Sequence, residues 1–130
     1  MLTELARFGF TSRQRKLERH INGGAELQRE VLRYLVEEAK DTLFGTSHGF
    51  ANIRSYKDFA KQIPINTYEE LKGLIDRMRR GERDILWPGG VRWYAKSSGT
   101  TNDKSKFIPV SADGLQNVHY AGGRDAVAFY

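Results

Sequence analysis

Residues 91–110 read VRWYAKSSGTTNDKSKFIPV, and here the apolar period of the chain falls to two residues. Every second side chain at the start of this stretch is apolar, which predicts a strand buried on one face through Val91, Trp93 and Ala95. A second strand is expected over about Lys106 to Val110, after a polar loop. The stretch therefore predicts a β-hairpin, and the patterns on both sides of it predict helices.

The loop between the two predicted strands has the composition that a phosphate site needs. It contains four hydroxyl side chains in five residues, and Gly99 lets the backbone turn and approach an oxygen cluster closely. Lys96, Lys104 and Lys106 add positive charge. A solvated hairpin loop has a similar composition, and the chain contains neither a Walker pattern nor a Rossmann glycine fingerprint. The residues alone leave both interpretations open.

Upstream of the hairpin the sequence predicts helices over about residues 12–80. A short basic helix over 12–21 is followed, after Gly23-Gly24, by a long helix from about Ala25 to Phe44 with Gly45 as its stop. The predicted buried stripe of this long helix consists of Leu27, Val31, Tyr34, Leu35, Ala39 and Leu43.

Two further helix starts are marked by capping residues. Ser55 is expected to cap a short helix that ends before Pro64. Thr67 and Glu70 have capping-box spacing and open a helix that Gly81 closes. Its predicted buried face consists of Leu71, Leu74, Ile75 and Met78. We expect Leu71, Leu74, Leu35 and Trp93 to be structural.

After the hairpin, Ser111 is expected to cap a last helix over residues 111–129. The predicted fold class is thus an α+β fragment that is mostly helical, with one β-hairpin. The helix ends at Val127, Phe129 and Tyr130, so we expect exposed apolar surface and self-association of the chain.

Composition excludes several classes of protein and site. The 130 residues contain no cysteine and only three widely spaced histidines, so neither a disulfide nor a zinc site is expected. No apolar run is long enough to span a membrane and no signal peptide is recognisable, so we expect a cytoplasmic protein without a membrane partner.

The net charge of +5 raises the alternative of a basic helical module that binds nucleic acid or an acidic partner. The arginine-rich stretch 77–83 motivates it, but Asp76, Glu82 and Asp84 interrupt the basic face. We therefore expect no nucleic-acid partner.

Several segments around the loop match one known family in order and spacing. They are SYKDF at 55–59, IPINTYEEL at 63–71, RGE at 80–82, ILWPG at 85–89, AKSSGTT at 95–101 and KFIPV at 106–110. The chain resembles, over nearly its whole length, the Gretchen Hagen family of acyl-acid amido synthetases. These are the auxin-responsive promoter proteins of plants and their bacterial relatives, within the acyl-adenylate-forming superfamily.

The resemblance implies an ATP-dependent ligase with Mg²⁺ as the companion of the triphosphate. A carboxylic acid would be activated as an acyl-adenylate, and an amine such as an amino acid would then displace AMP. Residues that would meet the β- and γ-phosphates or shape their loop are Ser97, Ser98, Gly99, Thr100, Thr101 and Lys106, with Lys104 as a further candidate. Asp103 stands where many members of the family have a second glycine, and a carboxylate there would point away from phosphate.

The resemblance also implies that residues 1–130 are the N-terminal part of the large α/β domain of an adenylate-forming enzyme. The adenine, acyl and metal-binding motifs would follow later in the protein, so we expect no other catalytic residue in this part and no activity from it alone. An acyl- or aryl-CoA ligase of the same superfamily, which shares the first half-reaction, is the alternative enzyme.

Overall fold

The computed structural model describes Glu18, residues 23–97 and residues 105–128. The chain divides into two compact units, one of residues 29–112 and the other of residues 1–28 with 113–130. The fold class is confirmed, because the described residues are mostly helical and contain one antiparallel two-stranded hairpin. The predicted helix over 12–21 lies outside the described residues, apart from Glu18, which is helical.

The long helix is shorter than predicted and is followed by a second helix. Helix α1 spans Gly24–Ala39, and helix α2 spans Leu43–Ser47. Thr42 separates them, because its hydroxyl donates to the Ala39 carbonyl at 2.7 Å and accepts from the Gly45 N–H at 3.0 Å. The prediction that one helix continues to Phe44 was wrong, since Thr42 is an N-cap.

Gly45 was predicted to stop the long helix, but this was wrong. It is a buried residue inside α2. A Cβ atom at this position would lie 2.0 Å from the Ala39 carbonyl oxygen. The backbone of α2 can therefore approach the end of α1 this closely only because residue 45 lacks a side chain.

The buried face of α1 also differs from the predicted stripe. Val36 and Ala39 are buried, and they form a cluster with Phe50, from the 3₁₀ helix Phe50–Asn52, and with Ile53. Several members of the predicted stripe are exposed instead, namely Val31, Tyr34, Leu35 and Leu43. The helix carries apolar side chains on two adjacent faces, so its period does not determine which of them packs against residues 50–53.

The predicted caps at Ser55 and Thr67 are confirmed. Helix α3 spans Tyr56–Gln62, with the Ser55 hydroxyl accepting from the Asp58 N–H at 3.2 Å. Helix α4 spans Tyr68–Arg79 and begins with a complete capping box between Thr67 and Glu70. The Thr67 N–H and hydroxyl both donate to Glu70 Oε2, at 2.6 Å and 2.7 Å, and these bonds lower the pKa of the Glu70 carboxyl. The start of α4 is thus fixed by residues close in sequence.

Helix α4 ends where the sequence predicts. Arg80 is its C-cap, and Gly81 follows with φ of 94°, in the left-handed region that favours glycine. On the predicted face Ile75 and Met78 are buried and Leu71 and Leu74 are half-buried.

Strands β1 (Trp93–Lys96) and β2 (Phe107–Val110) form the predicted hairpin, but its buried face is inverted. The register pairs Trp93 with Val110, Tyr94 with Pro109, Ala95 with Ile108 and Lys96 with Phe107. Trp93 is 48% exposed, so its predicted place on the buried face was wrong. Tyr94, on the opposite face, is half-buried, because that side of the hairpin carries the residues that contact α4.

The last helix forms as predicted, although its winding is not uniform. Helix α5 (Ala112–Gly114) leads into a π-helical segment, Leu115–Tyr120, and then into helix α6, Ala121–Ala128. Phe129 and Tyr130 lie outside the described residues. Of the helices in the described ranges, none combines the length and apolarity needed to cross a membrane.

The corrected core makes a first testable prediction. Ile75 is 4% exposed, so Ile75→Ala should lower the free energy of unfolding by about 2–4 kcal/mol. Leu35 is 43% exposed, and Leu35→Ala should cost about 1 kcal/mol or less. Urea denaturation of the chain measures both, and equal losses would contradict the packing described here.

A second prediction concerns Gly45. Gly45→Ala should destabilise the chain by about 2–3 kcal/mol, because the new methyl group would collide with the backbone of Ala39. Gly73, inside α4, is the matched control, since a Cβ there meets no atom within 4 Å. Gly73→Ala should stabilise the chain by about 0.5–1 kcal/mol through helix propensity. If Gly45→Ala were also stabilising, the close approach of α1 and α2 would be refuted.

A third prediction concerns the exposed face of the hairpin, where Trp93 and Ile108 are each 48% exposed. Exposed apolar surface beside a strand edge favours association, so the isolated chain should form oligomers as its concentration rises. Trp93→Lys with Ile108→Lys should shift light scattering toward the monomer mass. Ile65→Lys is the control, because Ile65 is 99% exposed and lies outside the hairpin. A monomer at high concentration in the unchanged chain would contradict the prediction.

Candidate functional site

The structure describes the two ends of the predicted phosphate loop. Ser97 follows β1 directly, and Lys106 precedes β2. The other predicted phosphate-binding residues lie outside the described residues, namely Ser98, Gly99, Thr100, Thr101 and Lys104. Asp103 lies outside them as well, so its expected orientation stays a prediction.

The base of the loop is closed by two hydrogen bonds between Ser97 and Lys106. The Ser97 N–H donates to the Lys106 carbonyl at 3.0 Å. The Lys106 N–H donates to the Ser97 hydroxyl oxygen at 3.1 Å. These two hydrogen bonds hold the two ends of the predicted loop next to each other.

Tyr68 joins this base to helix α4. Its hydroxyl oxygen accepts a hydrogen bond from the Phe107 N–H at 3.0 Å, across 39 positions of sequence. The Lys106 ammonium lies 5.6 Å from the centre of the Tyr68 ring, within range of a cation–π interaction. One aromatic side chain thus contacts two consecutive residues at the end of the loop.

The C-terminal end of α4 contacts the same strand. The Arg79 guanidinium lies 4.0 Å from the centre of the Phe107 ring and pairs with Asp76 at 3.3 Å. Arg77 pairs with Glu82 at 2.8 Å. Two arginines of the basic stretch are therefore engaged within this unit, which weakens the alternative of a continuous basic binding face.

The Tyr94 hydroxyl is buried and has no hydrogen-bond partner in the part of the chain that the structure describes. Burial raises the pKa of this phenol, and the nearby Arg79 charge opposes the shift. Tyr94 is therefore a neutral hydroxyl group at physiological pH. It faces the same side of the hairpin as Phe107, because the register places Tyr94 and Lys96 on the face that contacts α4.

Metal ligands are not assembled in the described ranges. Within residues 23–97 and 105–128, together with Glu18, no group of three or more histidine or acidic side chains could hold an ion.

Sequence reasoning placed Ser97 and Lys106 at the site but missed Tyr68 and Arg79. Tyr68 was part of a family motif, yet its role depends on a contact between residues distant in sequence. The sequence feature that could have indicated Tyr68 was its position next to the capping box. A capping box fixes where the helix begins and therefore the backbone of its first residue. The pairing of Arg79 with the Phe107 ring had no such local signal.

Comparison with known proteins identifies the family. A model described as the GH3 family N-terminal domain matches residues 13–128. The indole-3-acetic acid-amido synthetase GH3.15 of Arabidopsis thaliana is 30% identical over 93 residues, which are 70% of this chain and 15% of the relative. The jasmonoyl–L-amino acid synthetase GH3.3 of Oryza sativa subsp. japonica is 29% identical over 94 residues, 72% of this chain and 20% of the relative.

The chain spans at most a fifth of the length of these two relatives. The matched residues include the helices, the hairpin and both ends of the candidate loop. The family expected from the sequence motifs is confirmed: the chain belongs to the GH3 family and carries residues of its N-terminal domain.

Proposed function

We propose that the protein containing this chain is an ATP-dependent acyl-acid amido synthetase. Relatives named as indole-3-acetic acid-amido and jasmonoyl–L-amino acid synthetases support this reaction class. The structural observation that carries the proposal is the closed base of the loop, where Ser97 and Lys106 hold each other by two hydrogen bonds. The substrates would be a carboxylic acid, ATP and an amine such as an amino acid.

The proposed reaction has two steps. A carboxylate oxygen attacks the α-phosphorus of ATP, the bond to the β-phosphate oxygen breaks, and pyrophosphate leaves. The amine nitrogen then attacks the acyl carbonyl carbon, loses a proton, and AMP leaves with the electrons of the broken acyl–oxygen bond. Charge moves onto pyrophosphate in the first step, so donors that hold the β- and γ-phosphates favour it.

The residues of this chain would bind and orient the triphosphate. The Ser97 oxygen accepts a backbone hydrogen bond, and its own O–H proton can donate to a phosphate oxygen. Lys106 would supply positive charge beside the loop. The hydroxyls of Ser98, Thr100 and Thr101, together with the Gly99 backbone, are proposed as further contacts, with Lys104 as an additional cation. A loop held at both ends loses less conformational entropy when it orders around a ligand.

Mg²⁺ is proposed as the companion of the triphosphate, where it would reduce the negative charge on the phosphates. The described residues offer no acidic cluster that fits such an ion. We propose that residues outside the described ranges contribute to holding this ion.

The alternative is an acyl- or aryl-CoA ligase, which forms the same acyl-adenylate but passes it to a thiol. The names of the relatives favour the amide product. Incubating the complete enzyme with acid and ATP, and supplying either an amino acid or coenzyme A, distinguishes amide from thioester by mass spectrometry.

A fourth prediction tests the loop. In the complete enzyme, Thr100→Ala and Thr101→Ala should each lower ATP–pyrophosphate exchange about tenfold, because a hydrogen bond to a charged group contributes roughly 1.5–3 kcal/mol. Thr46→Ala is the matched control, since Thr46 is an exposed threonine in helix α2. Exchange that is unchanged in both loop variants would remove this loop from the mechanism.

A further inference from the structure

We propose that Tyr68 is a positioning residue that holds Lys106 and Phe107 in place at the end of the predicted phosphate loop. The inference rests on the proposed function, because Lys106 is proposed there as a cation that binds the triphosphate. Three observations carry it: the hydrogen bond from the Phe107 N–H to Tyr68, the contact of the Tyr68 ring with the Lys106 ammonium, and the capping box beside Tyr68.

The first contact fixes the backbone at the loop's end. Ser97 and Lys106 form a hydrogen-bonded pair, so the next amide, that of Phe107, points away from β1. An amide on a strand edge has no partner within the hairpin itself. The Tyr68 hydroxyl fills this place at 3.0 Å and thereby holds the residue that directly follows Lys106.

The second contact fixes the side chain. A lysine has four rotatable side-chain bonds, and its ammonium can occupy many positions around a loop. The face of an aromatic ring attracts the ammonium, and the Tyr68 ring lies 5.6 Å from it. The ring contact orients the ammonium and leaves its positive charge in place, so the charge can still act on phosphate.

The third observation, the capping box, concerns the backbone at Tyr68. Tyr68 is the first residue of α4, between the capping residue Thr67 and the acidic residues of the first turn. Both donors of Thr67 bind Glu70 Oε2, which holds the backbone on either side of the tyrosine. Tyr68 is half-buried, and its hydroxyl accepts the hydrogen bond from the Phe107 N–H. Tyr68 thereby connects the capped start of α4 to Lys106.

The test uses the complete enzyme that carries this chain and measures ATP–pyrophosphate exchange at varied ATP and varied acid. Tyr68→Leu removes the hydroxyl and the ring, whereas Tyr68→Phe removes only the hydroxyl. We expect the KM for ATP to rise about fivefold in the first variant and about twofold in the second, with the KM for the acid unchanged. Tyr56→Leu is the matched control, because Tyr56 also directly follows a capping residue, Ser55, yet it is 73% exposed and belongs to α3.

A double-mutant cycle separates positioning from a general effect on stability. If Tyr68 acts through Lys106, then Tyr68→Leu should add little to the loss already caused by Lys106→Ala. Losses that multiply, or an equal rise in both KM values, would overturn the inference. An unimpaired Tyr68→Leu enzyme alongside an impaired Lys106→Ala enzyme would overturn it and leave the proposed function intact. Absence of exchange in the unchanged enzyme would refute the proposed function, and the inference with it.

Nuclear magnetic resonance of the chain supplies a readout without activity. The ε-methylene protons of Lys106 should shift upfield under the Tyr68 ring, keep that shift in Tyr68→Phe and lose it in Tyr68→Leu. The Phe107 amide should exchange with solvent faster in Tyr68→Phe than in the unchanged chain, because its acceptor is gone. Failure of either change would show that the corresponding contact does not exist in solution.

Discussion

A hairpin of two four-residue strands is marginally stable in water, and the geometry of the candidate loop depends on whatever supports that hairpin. Helix α4 supplies the support at both of its ends. Tyr68 accepts the Phe107 amide at the start of the helix, and Arg79 covers the Phe107 ring at its end. Phe107 is therefore held by both ends of α4. The predicted loop lies between Ser97 and Lys106, the pair of residues next to it.

The segment that leads from α4 into the hairpin is held by a second set of hydrogen bonds. The first amides of α2 have no partners within that helix, and two of them donate to the loop after α4: Leu43 to the Asp84 carbonyl at 2.8 Å and Phe44 to the Ile85 carbonyl at 3.0 Å. Asp84 has a φ of 56°, unusual for a residue with a side chain, and its carboxylate accepts the Gly89 N–H at 2.6 Å. This turn lies directly before Ile85, the first residue of the ILWPG segment.

Capping residues were predictable because each cap is a contact between residues three positions apart. Ser55, Thr67 and Glu70 act as the sequence indicated. The face that each element buries was less predictable. Helix α1 carries Val31 and Leu35 beside Leu32 and Val36, and strand β1 carries Trp93 beside Tyr94, so both faces offer apolar surface. The choice is made by distant partners such as Phe50 for α1 and α4 for the hairpin. A local period contains no information about them.

The candidate site shows the same division between local and distant causes. Hydroxyls, a glycine and lysines clustered in sequence predict a phosphate loop, because phosphate recognition needs many donors within a few residues. The groups that hold Lys106 in place come from a helix that starts 38 positions earlier in the chain, and only folding brings them together. A capped helix, an aromatic side chain and a strand edge meet at Lys106, so the position of this proposed phosphate-binding cation is set by contacts that involve no phosphate. Such preorganisation lowers the cost of binding a flexible, highly charged ligand, since part of the ordering occurs when the chain folds.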